Sequence, residues 1–69
     1  MGRVVGSYAT RLRNNYVKYI NAQKAYIRKN FEDMDFENAD VREEFESIVE
    51  SMERNCDALV NKISSYSFE

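Results

Sequence analysis

Hydrophobic residues recur every three or four positions along most of the chain, which is the period of an amphipathic α-helix. Counting about 100° per residue puts the apolar residues of the first half on one side of a helix. These residues are Val5, Tyr8, Ala9, Leu12, Tyr16, Tyr19, Ile20, Tyr26, Ile27 and Phe31. The second half keeps the same spacing, with Val41, Phe45, Ile48, Val49, Met52, Cys56, Leu59, Ile63 and Tyr66. The pattern predicts two long helices, over about residues 4–31 and 39–67.

A heptad spacing marks the seam expected on the second helix. Phe45, Met52, Leu59 and Tyr66 are seven residues apart, which is typical of a coiled-coil contact. We expect Leu59 to lie at the centre of this seam.

An acidic segment, about residues 32–38, separates the two predicted helices. It is rich in Asp and Asn, which favour turns and helix N-caps. Asp40 with Glu43 resembles a capping box, and Asn38 is a competing N-cap. We therefore predict an all-α fold in which residues 1–69 form a single domain, a two-helix antiparallel hairpin. The alternative is one long helix in a coiled coil, because the segment contains no Gly or Pro and the apolar stripe continues across it.

The small size of the chain favours self-association. A domain of 69 residues rarely gains more than about 3–5 kcal/mol from its core without a disulfide, a metal or a second chain. The apolar stripe of helix one is also wider than a two-helix contact covers. We expect a homodimer that forms a four-helix bundle.

The residue inventory argues against enzymatic chemistry. The chain has no histidine and one cysteine, so it lacks the usual base for a Ser or Cys nucleophile and the usual ligands of a zinc site. The acidic segment resembles an EF-hand loop at Asp33, Asp35, Glu37 and Glu44. Asn38 occupies the position where that loop requires glycine. We predict no enzyme activity, no cofactor and no metal site.

Charge is divided unequally between the two halves. Residues 1–31 contain seven basic and no acidic residues, whereas residues 32–69 contain twelve acidic and three basic residues. The first half therefore carries +7 and the second half −9, and their sum is the net charge of −2. Such a division indicates either partners of opposite charge or two helices that attract each other.

Three surfaces are candidates for binding. The first is an acidic stripe on helix two, opposite its seam, formed by Glu43, Glu46, Glu50, Glu53 and Asp57. The second is the row of tyrosines on helix one, Tyr8, Tyr16, Tyr19 and Tyr26, whose hydroxyl groups suit an interface better than a sealed core. The third is the basic face of helix one, formed by Arg11, Lys18, Arg28 and Lys29.

These surfaces favour a small non-enzymatic interaction protein, of the adaptor or inhibitor kind, that docks on a protein partner through helical apolar and acidic surfaces. One alternative is a nucleic-acid-binding helical dimer that uses the basic face. Another is a structural subunit of a larger assembly. We expect neither a small-molecule substrate nor membrane association, because no apolar run approaches the roughly 18 residues of a membrane span. An unpaired Cys56 and the absence of a secretory signal pattern favour a cytoplasmic location.

Overall fold

The structure, a computed structural model, describes residues 2–69 and consists of two long helices that pack against each other. The elements are β1 (Arg3–Val4), α1 (Ala9–Asp33), α2 (Ala39–Ser64) and β2 (Ser67–Phe68). The helices contact each other along a common seam and run in opposite directions, since only five residues join them. The predicted all-α hairpin is thus confirmed, and the single continuous helix is not formed.

The hairpin turn is held by a cap and an aromatic cluster. The Asn38 side chain accepts a hydrogen bond from the backbone N–H of Val41 at 3.0 Å, so Asn38, and not Asp40, is the N-cap of α2. The rings of Phe31, Phe36 and Phe45 lie with their centroids 5.5–6.2 Å apart. Phe36 therefore folds back from the turn onto both helices, which explains an apolar residue within an otherwise acidic segment.

The contact seam is rotated away from the predicted stripe. The apolar side chains that the hairpin buries or half-buries are Ala9, Val17, Ile20, Ile27 and Phe31 of α1, with Phe45, Val49, Met52, Cys56, Val60 and Ile63 of α2. The prediction that Leu59 lies at the centre of the seam is wrong, because its side chain is 50% exposed whereas Val49 is 1% exposed. Val17 and Val60, which the predicted stripes leave out, take part in the seam instead.

Both helices are shorter than predicted at the ends that lie away from the turn. α1 begins at Ala9 and not near residue 4, and α2 ends at Ser64 and not near residue 67. At the first end, Gly6 adopts φ +138°, a conformation that breaks a helix and that L side chains rarely adopt. At the second end, the Ser65 hydroxyl donates to the backbone carbonyl of Lys62 at 2.6 Å, a local bond that competes with helical pairing.

The freed ends form a short parallel ladder in which Arg3 pairs with Ser67 and Val4 with Phe68. Backbone hydrogen bonds extend this ladder, from Gly6 N–H to the Glu69 carbonyl at 2.8 Å and from Ser67 N–H to the Gly2 carbonyl at 3.1 Å. The two ends of the chain are therefore tied together at the open end of the hairpin, opposite the turn.

Candidate protein-interaction face

One flank of the hairpin carries ion pairs between the helices. Lys24 Nζ donates to Asp57 Oδ1 at 2.8 Å. Arg28 binds Glu53 with two nitrogens, one of them at 3.1 Å from Glu53 Oε2, and its third nitrogen lies 3.6 Å from Glu46. We call this flank the ion-pair flank. It places the basic half of the sequence directly against the acidic half. This agrees with the alternative in which the unequal charges make the two helices attract each other.

The other flank carries large apolar side chains that nothing covers. At about 100° per residue, the exposed apolar residues of each helix lie on the side of the seam away from the ion pairs. The contacts between the helices fix the two ion-pairing sides to the same flank, so the two exposed apolar sides also share a flank. We call this surface the tyrosine face, and it consists of Tyr8, Leu12, Tyr16, Tyr19, Tyr26, Val41, Ile48 and Leu59.

A groove at the open end of the hairpin adjoins this face and shares Leu12 and Tyr16 with it. It has a volume of about 460 Å³. Its lining comes from both helices and both strands, as Val4, Leu12, Tyr16, Ile63, Tyr66 and Phe68. All six are apolar or aromatic, and small-molecule sites normally add a few polar groups that fix orientation. The groove is therefore better suited to apolar side chains than to a polar ligand.

The four tyrosines predicted to form an interface are all accessible. Their exposed fractions lie between 56% and 65%, which is high for residues on the apolar side of an amphipathic helix. Aromatic side chains bury roughly 150–250 Å² each when covered, and they dominate the energetics of protein interfaces. The structure thus keeps these rings available to a partner.

The acidic stripe is largely used inside the hairpin. Glu46, Glu53 and Asp57 pair with basic residues of α1, and within residues 2–69 only Glu43 and Glu50 of the stripe have no ion-pair partner. Of the five stripe residues, Glu43, Glu50 and Asp57 are exposed, whereas Glu46 and Glu53 are half-buried. The binding role of the stripe stays a prediction. The division of charge in the sequence indicates that ion pairs between the helices are possible. The sequence does not give the register of the helices, which determines that Glu46, Glu53 and Asp57 form them.

The basic face divides in the same way. Arg28 lies in the ion-pair flank, whereas Arg11, Lys18 and Lys29 are exposed and, among residues 2–69, form no ion pair. These three side chains lie within about 20° of one line along α1 at the helical step of 100° per residue. Arg11 and Lys29 lie about 60° around α1 from Tyr8 and Tyr26, so the basic row borders the tyrosine face but does not coincide with it.

Ion pairing also makes the hairpin sensitive to acid. Hydrogen bonds from Arg28 hold the pKa of the Glu53 carboxyl below its ordinary value of 4.5. A carboxyl whose pKa is lower in the folded state stabilises the fold above its ordinary pKa, and this contribution is lost as the pH falls through the folded value. The contribution should therefore be complete at pH 7 and be lost progressively as the pH falls from the ordinary pKa of 4.5 through the lower folded pKa.

We expect Glu53→Gln to reduce the acid sensitivity of the fold. Wild type should lose more thermal stability between pH 7 and pH 3 than Glu53→Gln does, as measured by circular dichroism. Glu50→Gln is the matched control, because Glu50 lies on the same helix and has no ion-pair partner within residues 2–69. An equal acid-induced loss in wild type and Glu53→Gln would contradict the assignment.

The described residues contain no other arrangement that suggests chemistry. Within residues 2–69, no three carboxylate or thiol groups are placed to hold a metal ion. Neither helix of that range combines the length and the apolar character that crossing a membrane requires. Cys56 is half-buried in the seam.

Comparisons with models of protein families, with curated proteins and with solved structures find no match to this chain.

Proposed function

We propose that this chain is a small non-enzymatic interaction protein, of the adaptor or inhibitor kind, that docks on another protein chain through its tyrosine face. The observation that carries the proposal is the concentration of exposed large apolar side chains on one flank of the hairpin. Contiguous apolar surface of this kind marks interaction sites in soluble proteins. Tyrosine is also among the residues most enriched at the centres of protein interfaces.

The distribution of charge supports a protein as the partner. The tyrosine face lies on the flank opposite the ion pairs, and the chain as a whole has a net charge of −2. A net negative protein repels a polyanion, so nucleic acid is the weaker candidate for the occupant of this face. Glu43 and Glu50 remain available to attract a basic partner, which speeds encounter while the apolar face supplies affinity.

Two triple variants test the proposal. The first, Tyr16→Ser with Tyr19→Ser and Tyr26→Ser, removes three exposed rings of the tyrosine face. The second, Arg11→Ser with Lys18→Ser and Lys29→Ser, changes the same number of exposed residues on the same helix away from that face. Partners recovered on immobilised protein are identified by mass spectrometry, purified, and titrated against wild type and both variants.

We expect the tyrosine variant to weaken binding of the purified partner by at least about 30-fold, because hot-spot truncations each cost about 2 kcal/mol or more. The basic variant should bind within a factor of about three of wild type, since surface charges away from the contact contribute little. The reverse result, with steep salt dependence and recovered RNA or DNA, would overturn the proposal in favour of nucleic-acid binding.

A further inference from the structure

The isolated hairpin exposes more surface than a folded chain of its mass normally does. Its accessible surface is 5421 Å². Folded monomers of 8.2 kDa expose about 4,500 Å². The excess of roughly 900 Å² is close to the 800 Å² that each partner buries in a protein–protein interface of standard size. The missing contact area is therefore about that of one more protein surface.

The shape of the hairpin indicates the same deficit. Its radius of gyration is 16.0 Å, whereas a compact chain of this length has about 11 Å. Two helices give a layer only one helix thick, and each helix can then bury just one side. A second layer packed on the tyrosine face would bury the remaining apolar sides of both helices at once.

We propose that the second layer is another copy of this chain, so that two hairpins pack their tyrosine faces together in a four-helix bundle. In this arrangement α1 of each copy lies over α2 of the other, around a two-fold axis parallel to the helices. The inference rests on the proposed function and names the occupant of the tyrosine face.

Charge selects this arrangement over the other two-fold packing. Outside the ion-pair flank, α1 has four basic and two acidic residues and thus a net +2, whereas α2 has three basic and four acidic residues and a net −1. Packed helices lie about 8–10 Å apart, which is within the Debye length of about 8 Å or little beyond it at physiological salt. A two-fold axis perpendicular to the helices would place α1 over α1 and α2 over α2, with like charges adjacent. The parallel axis places the positive helix of each copy over the negative helix of the other.

The levels of the residues along the helices also fit this packing. The pairs Lys24–Asp57 and Arg28–Glu53 define the register of the two helices: moving one residue towards the C-terminus in α1 corresponds to moving one residue towards the N-terminus in α2. A two-fold axis parallel to the helices preserves these levels between copies. Leu59 of the second copy then lies between the levels of Tyr19 and Tyr26, where two exposed rings flank the position for an aliphatic side chain. The half-exposed Leu59 thus gains an apolar site.

Sedimentation equilibrium on the full chain tests whether a second copy binds. We expect wild type to be a dimer at tens of micromolar and to dissociate on dilution. The variant with Tyr16→Ser, Tyr19→Ser and Tyr26→Ser should dimerise at least about 30-fold more weakly, as expected for loss of interface rings. Wild type that remains a monomer up to several hundred micromolar would overturn the inference, whether or not the variant folds.

A distance measurement tests the orientation. Asp35 lies in the exposed turn, so Asp35→Cys in a Cys56→Ser background provides one spin label per chain. In the proposed arrangement both turns lie at the same end of the bundle, with label separations of about 20–30 Å from the spacing of packed helices. In the perpendicular arrangement they lie at opposite ends of a hairpin 51 Å long. A distance near 50 Å would overturn the inference, and so would dimerisation that strengthens with added salt.

The two proposals fail in distinguishable ways. A monomer that still binds a different purified protein through the tyrosine face contradicts self-association but supports the proposed function. A dimer that the tyrosine variant leaves intact contradicts the assignment of this face to the dimer contact. The proposed function fails if the tyrosine variant weakens binding to no protein chain, including its own copy.

Discussion

Val49→Asp should abolish the helical circular dichroism of the hairpin at 25 °C. Val49 is 1% exposed and packs in the part of the seam near the turn, so the new carboxylate would be buried among apolar side chains. Burying an unpaired charge costs several kcal/mol. The free energy of unfolding of a chain this size is only about 3–10 kcal/mol, at 0.05–0.15 kcal/mol per residue. The substitution should therefore consume most or all of the stability.

Ser47→Asp is the matched control for this variant. It introduces the same residue and the same charge two positions earlier in α2, at an exposed site. We expect it to melt within a few degrees of wild type, because exposed substitutions usually change stability by less than about 0.5 kcal/mol. A Val49→Asp variant that melts like Ser47→Asp would show that the seam is wrongly assigned.

Phe31→Ala should have the largest effect among substitutions that introduce no charge. Phe31 is 1% exposed, and its ring contacts those of both Phe36 and Phe45, with the Arg42 guanidinium 4.8 Å from its centroid. Truncation of a buried phenylalanine costs about 3–5 kcal/mol, because it removes apolar contact and leaves a cavity. Urea unfolding at fixed protein concentration measures this loss.

Phe31→Leu separates the volume of the side chain from its aromatic contacts. Leucine retains much of the apolar volume, so we expect a loss below about 2 kcal/mol, in line with substitutions that nearly conserve volume. A loss as large as that of Phe31→Ala would contradict the packing explanation and assign the stability to the aromatic and cation–π contacts instead.

The existence of the hairpin could be predicted from the sequence, but the rotation of its helices could not. The acidic break, the cap candidate Asn38 and the period of about 3.6 residues require only local information. The seam depends on which of two neighbouring strips of each helix meets the other helix. Tyr16 and Val17 are adjacent in sequence, and hydropathy alone ranks both as possible seam residues. In the hairpin, Val17 is half-buried in the seam, whereas Tyr16 is 56% exposed on the flank opposite the ion pairs of Lys24 and Arg28.

The candidate surfaces show the same limit. The accessibility of the tyrosines follows from their amphipathic side chains, which are better suited to the border between apolar surface and solvent than to a fully buried core. Which carboxylates of the acidic stripe form ion pairs depends on the register of the helices, because a shift of one residue in α2 would place a different side chain opposite Arg28 in place of Glu53. The two-residue ladder between the chain ends depends on contacts between residues that are 64 positions apart, which no local pattern encodes.

That ladder has a consequence for the order in which the fold assembles. Contacts near the turn, such as Phe31 with Phe36, close a loop of only a few residues, whereas pairing Arg3 with Ser67 closes almost the entire chain. The entropic cost of closing a loop rises with its length. We therefore expect the helices to pack against each other first near the turn and the ladder to form last. The same gradient applies in reverse in the native state, where the ladder opens first. Amide hydrogens should therefore exchange fastest at the joined chain ends and slowest around Phe45 and Val49.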